Sequence, residues 1–312
     1  MKRRTALSLL VGGLASRALA QSPPKGGEDQ DFTIQTTSRL VLLDVSVTDK
    51  AGGFVSGLDK DNFRIFENGK RQEITQFANA DIPVTVGILV DASSSMRPKR
   101  PEVVTAALAF IGASNPQDEV FVINFNEKPY RGLPESMPFT DDIKSLRTAL
   151  WRTPAEGRTA CYDAILMGLQ QLKAAHRDKR TLIVVSDGGD NASTHPLKDV
   201  MNEVLQSSAT IYTIGIFDED DPDRNPGVLS RLAHVSGGEV FFPKQLDEVE
   251  PICRKIAQDI RTRYTIGYIP AIDNGKGIRH IKVDVSAPNR ERLAARTRTS
   301  YLFSEQAGER KG

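Results

Sequence analysis

Alternating apolar and polar positions mark both flanks of the chain, and unbroken apolar runs mark its middle. In RLVLLDVSVTD (39–49), Val41, Leu43, Val45 and Val47 alternate with mostly polar neighbours, the period of a half-buried strand. Gly52-Gly53 marks a turn. Phe63 and Ile65 then lead into Glu67-Asn68-Gly69-Lys70. Asn-Gly between two strand-like runs predicts a tight hairpin, because both central residues must take positive φ. Ile74 and Phe77 continue the returning strand.

From Pro83 the pattern changes. PVTVGILVD (83–91), EVFVINF (119–125), TLIVVSD (181–187) and TIYTIGIFD (210–218) are near-continuous apolar runs, as strands buried on both faces require. EVFFP (239–243) is a further strand. Between these runs lie helical patterns at 103–114, 141–151, 159–175, 195–209, 228–237 and 246–263. Thr140 or Asp141 is placed to cap the second of these, and Trp151 at its end reads as a core residue. Strands alternating with helices predict an α/β, doubly wound, mostly parallel sheet with helices on both faces. After Arg263 the period of two returns in YTIGYIP (264–270), RHIKVDVSA (279–287) and RLAARTRTSYLF (292–303). Neither β-rich flank has enough strands for a sandwich of its own. The two are therefore expected to pair into one small β-domain with the α/β domain inserted between them. The expected divisions are 37–82, 83–263 and 264–303, with a polar tail at 304–312.

The N-terminus has a different pattern. Met1-Lys2-Arg3-Arg4 precedes an apolar run from Ala6 to Ala15 and then Ala18-Leu19-Ala20. A charged start, a short apolar stretch and an A-x-A site predict a signal peptide over 1–20, cleaved near Ala20, and a polar linker over 21–36. The run is too short to span a bilayer, and no cysteine sits at the cleavage point for lipid attachment. Arg3-Arg4 leaves the general secretory and twin-arginine routes both open. Export to periplasm, cell surface or medium is expected, and no transmembrane segment is.

Composition then narrows the function. The 312 residues carry 41 Lys and Arg against 40 Asp and Glu, a net charge of +1, with the basic residues scattered. Nucleic acid is not an expected partner. The two cysteines, Cys161 and Cys253, both fall on apolar helix faces and read as buried thiols, although export makes a disulfide chemically open. The four histidines lack zinc-ligand spacing, and His195, before a proline, reads as a surface residue. Neither G-x-S-x-G nor a phosphate-binding glycine loop occurs.

The candidate chemistry sits at strand ends. The run at 83–91 ends in Asp91-Ala92-Ser93-Ser94-Ser95, so that one carboxylate and two hydroxyls at alternate positions can converge. Asp187 closes another buried run, and Thr159 precedes a helix on the same edge. Ligands of open α/β sheets bind beyond the carboxyl ends of the strands. These oxygen donors, with no imidazole or thiolate among them, suit hard cations: Mg²⁺, or Mn²⁺ or Ca²⁺. Asp190 and Asn191 follow closely enough to orient the ligands. Asp163, one helical turn from Thr159, could orient the site or cap its own helix. The acidic run from Asp218 to Asp223 reads as a solvated loop, or as a second cation site or an electrostatic tuner of the first.

Asp91, Ser93 and Ser95 in D-x-S-x-S, then Thr159, then Asp187 in an S-D-G context, resemble the metal-ion-dependent adhesion site of the von Willebrand factor type A (VWA) domains. The resemblance covers roughly Pro83 to Arg263 and departs at no motif position. With the export signal and both β-flanks, the chain further resembles secreted bacterial proteins of acidobacterial type that carry this domain. The resemblance implies a non-enzymatic, metal-dependent protein-binding module, used in adhesion or as a scaffold. A Glu or Asp carboxylate of a partner protein would complete the cation's coordination. It also implies movement of the last helix on binding. The alternatives are a structural domain with a vestigial metal site, or a metal-dependent hydrolase.

Overall fold

The structure, a computed structural model, describes residues 40–303 except 188, 218–223, 271–276, 289 and 291. The expected signal peptide, linker and polar tail, and the acidic run at 218–223, lie outside the described residues.

The first flank supplies β1 (Val41–Thr48), β2 (Phe63–Glu67), β3 (Lys70–Gln72) and β4 (Ile74–Ala78). The Asn-Gly hairpin forms between β2 and β3, with φ of 48° at Asn68 and 77° at Gly69. The middle begins at β5 (Val84–Asp91), every residue of which is buried. It continues through α1 (Arg100–Ala113), β6 (Glu119–Phe125), β7 (Pro129–Arg131), α2 (Ile143–Trp151), α3 (Cys161–Leu172), β8 (Lys179–Ser186), α4 (Leu197–Gln206), β9 (Thr210–Gly215), α5 (Pro226–Ser236), β10 (Val240–Phe241) and α6 (Val249–Thr262). The closing flank supplies β11 (Tyr264–Tyr268), β12 (Gly277–Val285), β13 (Ala294–Arg296) and β14 (Ser300–Phe303).

The central sheet runs β10-β9-β8-β5-β6-β7, parallel except for β7, which the sequence pattern did not predict and which pairs antiparallel at the edge. The chain leaves β5 toward β6 on one side and later returns to β8 on the other. That reversal is a topological switch point, where the loops beyond adjacent strands diverge and leave a crevice.

The flanking strands pair with each other, as expected. β1 lies between β13 and β11, and β11 pairs on its other side with β4. A second antiparallel sheet runs β14-β12-β2-β3. Their inward faces share one apolar cluster including Leu43, Val45, Phe63, Ile65, Tyr264 and Ile266. A buried polar knot accompanies it: Glu67 accepts from Tyr268 Oη at 2.6 Å, Tyr301 Oη at 2.7 Å and Arg279 Nη1 at 2.5 Å, joining strands of both sheets.

Three local expectations need correction. The final run at 292–303 is two strands in different sheets. Between them Thr299 N bonds Val235 O, where the chain crosses the end of α5. Gly237 there has φ of 85°, and a Cβ on it would lie 2.3 Å from Arg298 N, so only glycine fits both the left-handed cap and the crossing. The cap of α2 is Asp142, whose side chain accepts from Ser145 N at 2.8 Å. Thr140 Oγ1 instead receives Asp142 N, and Asp141 makes no cap. Trp151 is not core: Leu146, Ala149 and Leu150 fill the buried face of α2 and leave the indole 49% exposed.

Cys161 and Cys253 are buried free thiols. No helix among the described residues is long and apolar enough to cross a membrane.

Candidate metal centre

Asp91 is the last residue of β5, and Asp187 follows the last residue of β8, the neighbouring parallel strand. Parallel pairing thus carries two chain-distant carboxylates to one edge of the sheet at its switch point. Beyond Asp91 the backbone turns sharply. Ser93 N donates to Asp91 Oδ1 at 2.8 Å, and a short 3-10 helix begins at Ser94. Ser93 and Ser95 make no capping bond to that helix or to α1. Their hydroxyls face each other at 3.0 Å instead, and Ser95 Oγ donates to Asp187 Oδ2 at 2.5 Å.

The Thr159 segment is sewn onto this edge through its backbone. Glu156 N donates to Ala92 O, Ser94 N to Gly157 O, and Ala160 N to Asn126 O. Asn191 Oδ1 accepts from Thr159 N at 2.9 Å, and Thr159 O receives the amides of Asn191 and Ala192. Thr159 is buried, and these backbone bonds bring its segment to the sheet edge that carries Asp91, Ser93, Ser95 and Asp187.

Asp190 does not reach toward Asp91. Its Oδ2 accepts from Tyr162 N at 2.7 Å and from Ser193 Oγ, satisfying an open amide in the first turn of α3. With Asn191 it fixes the stretch that carries Thr159. Asp163 neither caps its own helix nor faces the site. Its carboxylate holds Thr194 and His195, with His195 Nδ1 at 2.8 Å from Oδ1. His195 is exposed, as expected.

Two participants escaped sequence reasoning. Ser186 Oγ donates to Asp91 Oδ2 at 2.6 Å. It is the serine of S-D-G, legible as part of the motif but without an assigned partner. Arg100, only 4% exposed, is the other. Its Nη2 donates to Leu150 O at 2.7 Å, while Nε and Nη1 have no partner. A cation as first residue of a helix opposes the helix dipole, and that misfit was its only signal.

Electrostatically the site is short of positive charge. Burial, then the facing Asp187 carboxylate, push Asp91 up to about 7 against the pull of its Ser186 and Ser93 donors. Two carboxylates and three hydroxyl-bearing residues on one edge can do one thing readily, which is to hold a small hard cation.

Residues 86–189 match the family model of the von Willebrand factor type A domain. The central α/β layer is a VWA domain. No curated protein matches the chain. Among solved structures, a von Willebrand factor type A protein from Catenulispora acidiphila is similar with a TM-score of 0.52 at 14% identity, over 87% of this chain and 76% of that one. An aerotolerance-related membrane protein from Bacteroides fragilis is similar at 17% identity and a TM-score of 0.46, over 57% of this chain and 98% of that one. The vWF domain of a type V pili tip protein from Porphyromonas gingivalis gives 14% identity and 0.47, over 64% and 100%. At these identities the likeness is one of fold. The Catenulispora match extends past the VWA domain into the β-flanks.

Proposed function

We propose that this chain is an exported, non-enzymatic protein-binding module whose VWA domain holds Mg²⁺ through Asp91, Ser93, Ser95, Thr159 and Asp187. The observation that carries the reading is the convergence of Ser93, Ser95 and Asp187 oxygens at the end of β5 and β8. A small oxygen set rich in hydroxyls suits Mg²⁺ or Mn²⁺, which take six close oxygens, better than the larger Ca²⁺. Asp91 fits the set as a carboxylate raised first by its burial and then by the facing Asp187 carboxylate.

Held by these five residues, a divalent cation would supply the positive charge that attracts a Glu or Asp carboxylate of a partner protein. The chain's own residues prepare the site. Ser186 Oγ and Ser93 N fix the Asp91 carboxylate from two sides. Asn191 fixes Thr159 through its amide, and Asp190 fixes the first turn of α3. With hydroxyls in place of further carboxylates, Asp91 and Asp187 would only balance the charge of a divalent cation, so an incoming carboxylate would meet weak repulsion. Among the described residues no three His, Cys, Asp or Glu side chains converge.

Calorimetric titration of EDTA-stripped protein with Mg²⁺ and Mn²⁺, with acetate present to supply a carboxylate, tests the assignment. One binding site, lost in Asp187→Ala and weakened in Ser95→Ala, is expected. Heat of dilution alone for the unaltered protein would leave the structural domain with a vestigial site as the better description.

A further inference from the structure

Beside the metal face, a groove of about 840 Å³ runs between α2 and the segment that follows β7. Pro134 and Met137 line one side and Trp151 the other, while Lys144, Arg147 and Arg152 stand along α2. A half-exposed tryptophan is a costly surface residue unless something covers it, and Trp and Arg lead the residues that anchor protein interfaces. The cations are similarly uncommitted. Among the described residues, Lys144 and Arg147 make no ion pair, and Arg152 is spent only on Gly132 O at 3.1 Å. A fourth cation lies beneath these three. The Arg100 guanidinium packs 5.7 Å from the Trp151 ring centroid with two of its nitrogens unpartnered, which adds positive potential under the groove.

The groove is tied mechanically to the metal face. Arg100 holds the C-terminal end of α2 through Leu150 O. Arg97, two residues after Ser95, holds Ala155 O at 2.8 Å, and Ser94 N holds Gly157 O. These bonds tie the last turn of α2 and the segment after it to the serine turn.

We infer that this groove docks an acidic segment of the partner protein that carries a large apolar side chain, the apolar group against Trp151 and the flanking carboxylates on Lys144, Arg147 and Arg152. Charge complementarity selects this occupant: a basic or neutral segment gains nothing from the rim. The inference rests on the reading of the domain as a protein-binding module, but not on the metal.

Trp151 is the chain's single tryptophan, so its emission reports the groove directly. The probe is a short peptide with glutamates flanking a pair of leucines, titrated into the whole protein in EDTA. A second peptide carries lysine in place of glutamate. Saturable change in Trp151 emission with the acidic peptide alone is expected, weakened by salt and weakened about tenfold or more in the double variant Lys144→Glu, Arg147→Glu. A fluorescein-labelled peptide followed by anisotropy should lose a similar factor in Trp151→Ala. No saturable change at millimolar acidic peptide, equal binding of the lysine peptide, or unchanged affinity in the charge-reversed variant would each overturn it. Because EDTA is present throughout, loss of Mg²⁺ binding in the calorimetry would leave this result standing, and the reverse holds.

Discussion

Arg296 Nη2 lies 2.5 Å from Asp259 Oδ2, so a residue of the closing β-flank is bonded to the last helix of the VWA domain. Asp259 is 1% exposed and also receives Tyr212 Oη at 2.5 Å and Arg263 Nη2 at 3.3 Å. Arg263 continues to Thr210 Oγ1, and Arg296 to Gly237 O. One carboxylate thus gathers α6, β9, β13 and the end of α5. Any displacement of α6 along its axis has to break this knot.

Removing the charge at its centre should be expensive. Burial would raise the Asp259 carboxyl, but Arg263 and Arg296 outweigh burial and hold it well below the usual carboxylate range. A depressed carboxylate contributes stability that is complete above its unfolded value near 4 and is lost as pH falls toward the folded value. Asp259→Asn is expected to lose about 3–5 kcal/mol at pH 7. It should also lose less than the unaltered protein on acidification from pH 4 downward, both measured by urea denaturation.

Asp118 has the opposite sign. It accepts Val84 N at 2.8 Å and Asn115 N at 3.1 Å at the start of β5, yet burial pushes it up to about 6. Between its unfolded value near 4 and about 6 the folded chain holds a proton that the unfolded chain has released. Stability from this group therefore falls as pH rises through that window and is level above it. Urea midpoints at closely spaced pH values should show that slope, and Asp118→Asn should flatten it.

In the β-domain, Glu67→Ala removes the common acceptor of Tyr268, Tyr301 and Arg279. The expected loss is about 3–5 kcal/mol, since buried donors and a buried guanidinium lose their carboxylate. Tyr301→Phe deletes one donor and should cost about 1–2 kcal/mol. Equilibrium denaturation of both variants ranks them.

The two thiols should be silent in the native protein. Cys161 and Cys253 are 1% and 3% exposed, and burial pushes the Cys253 thiol up to about 12. Ellman's reagent is expected to label neither residue in buffer and both in guanidinium, without prior reduction.

The sequence was most legible where spacing alone dictates position. Apolar runs of strand length located β5, β6, β8 and β9, and their parallel stacking brought Asp91 and Asp187 to one edge with no further information. Asn68-Gly69 identified its hairpin because few residue pairs tolerate two positive φ values. The failures occurred where a partner distant in sequence decides the outcome. Trp151 looked like core, but whether a helix-end indole is buried depends on what lies across from it, and there it meets Arg100. Asp163 sits one turn from Thr159, yet its side chain is claimed by residues 194 and 195 across the loop. β7 was too short to produce a period. The split of the last strand was set by α5, where Gly237 leaves room for the chain to cross.

The junctions of the inserted domain carry a consequence of their own. β4, which leads into the VWA domain, and β11, which leads out of it, are hydrogen-bonded neighbours, with Ala78 opposite Thr265. Arg261, near the exit, bonds Asp81, at the entrance, at 2.8 Å. Topologically the whole VWA domain is the loop of a β-hairpin. The chain enters and leaves the inserted domain through one hydrogen-bonded strand pair, while Arg296 and Thr299 tie the β-domain to α6 and the end of α5.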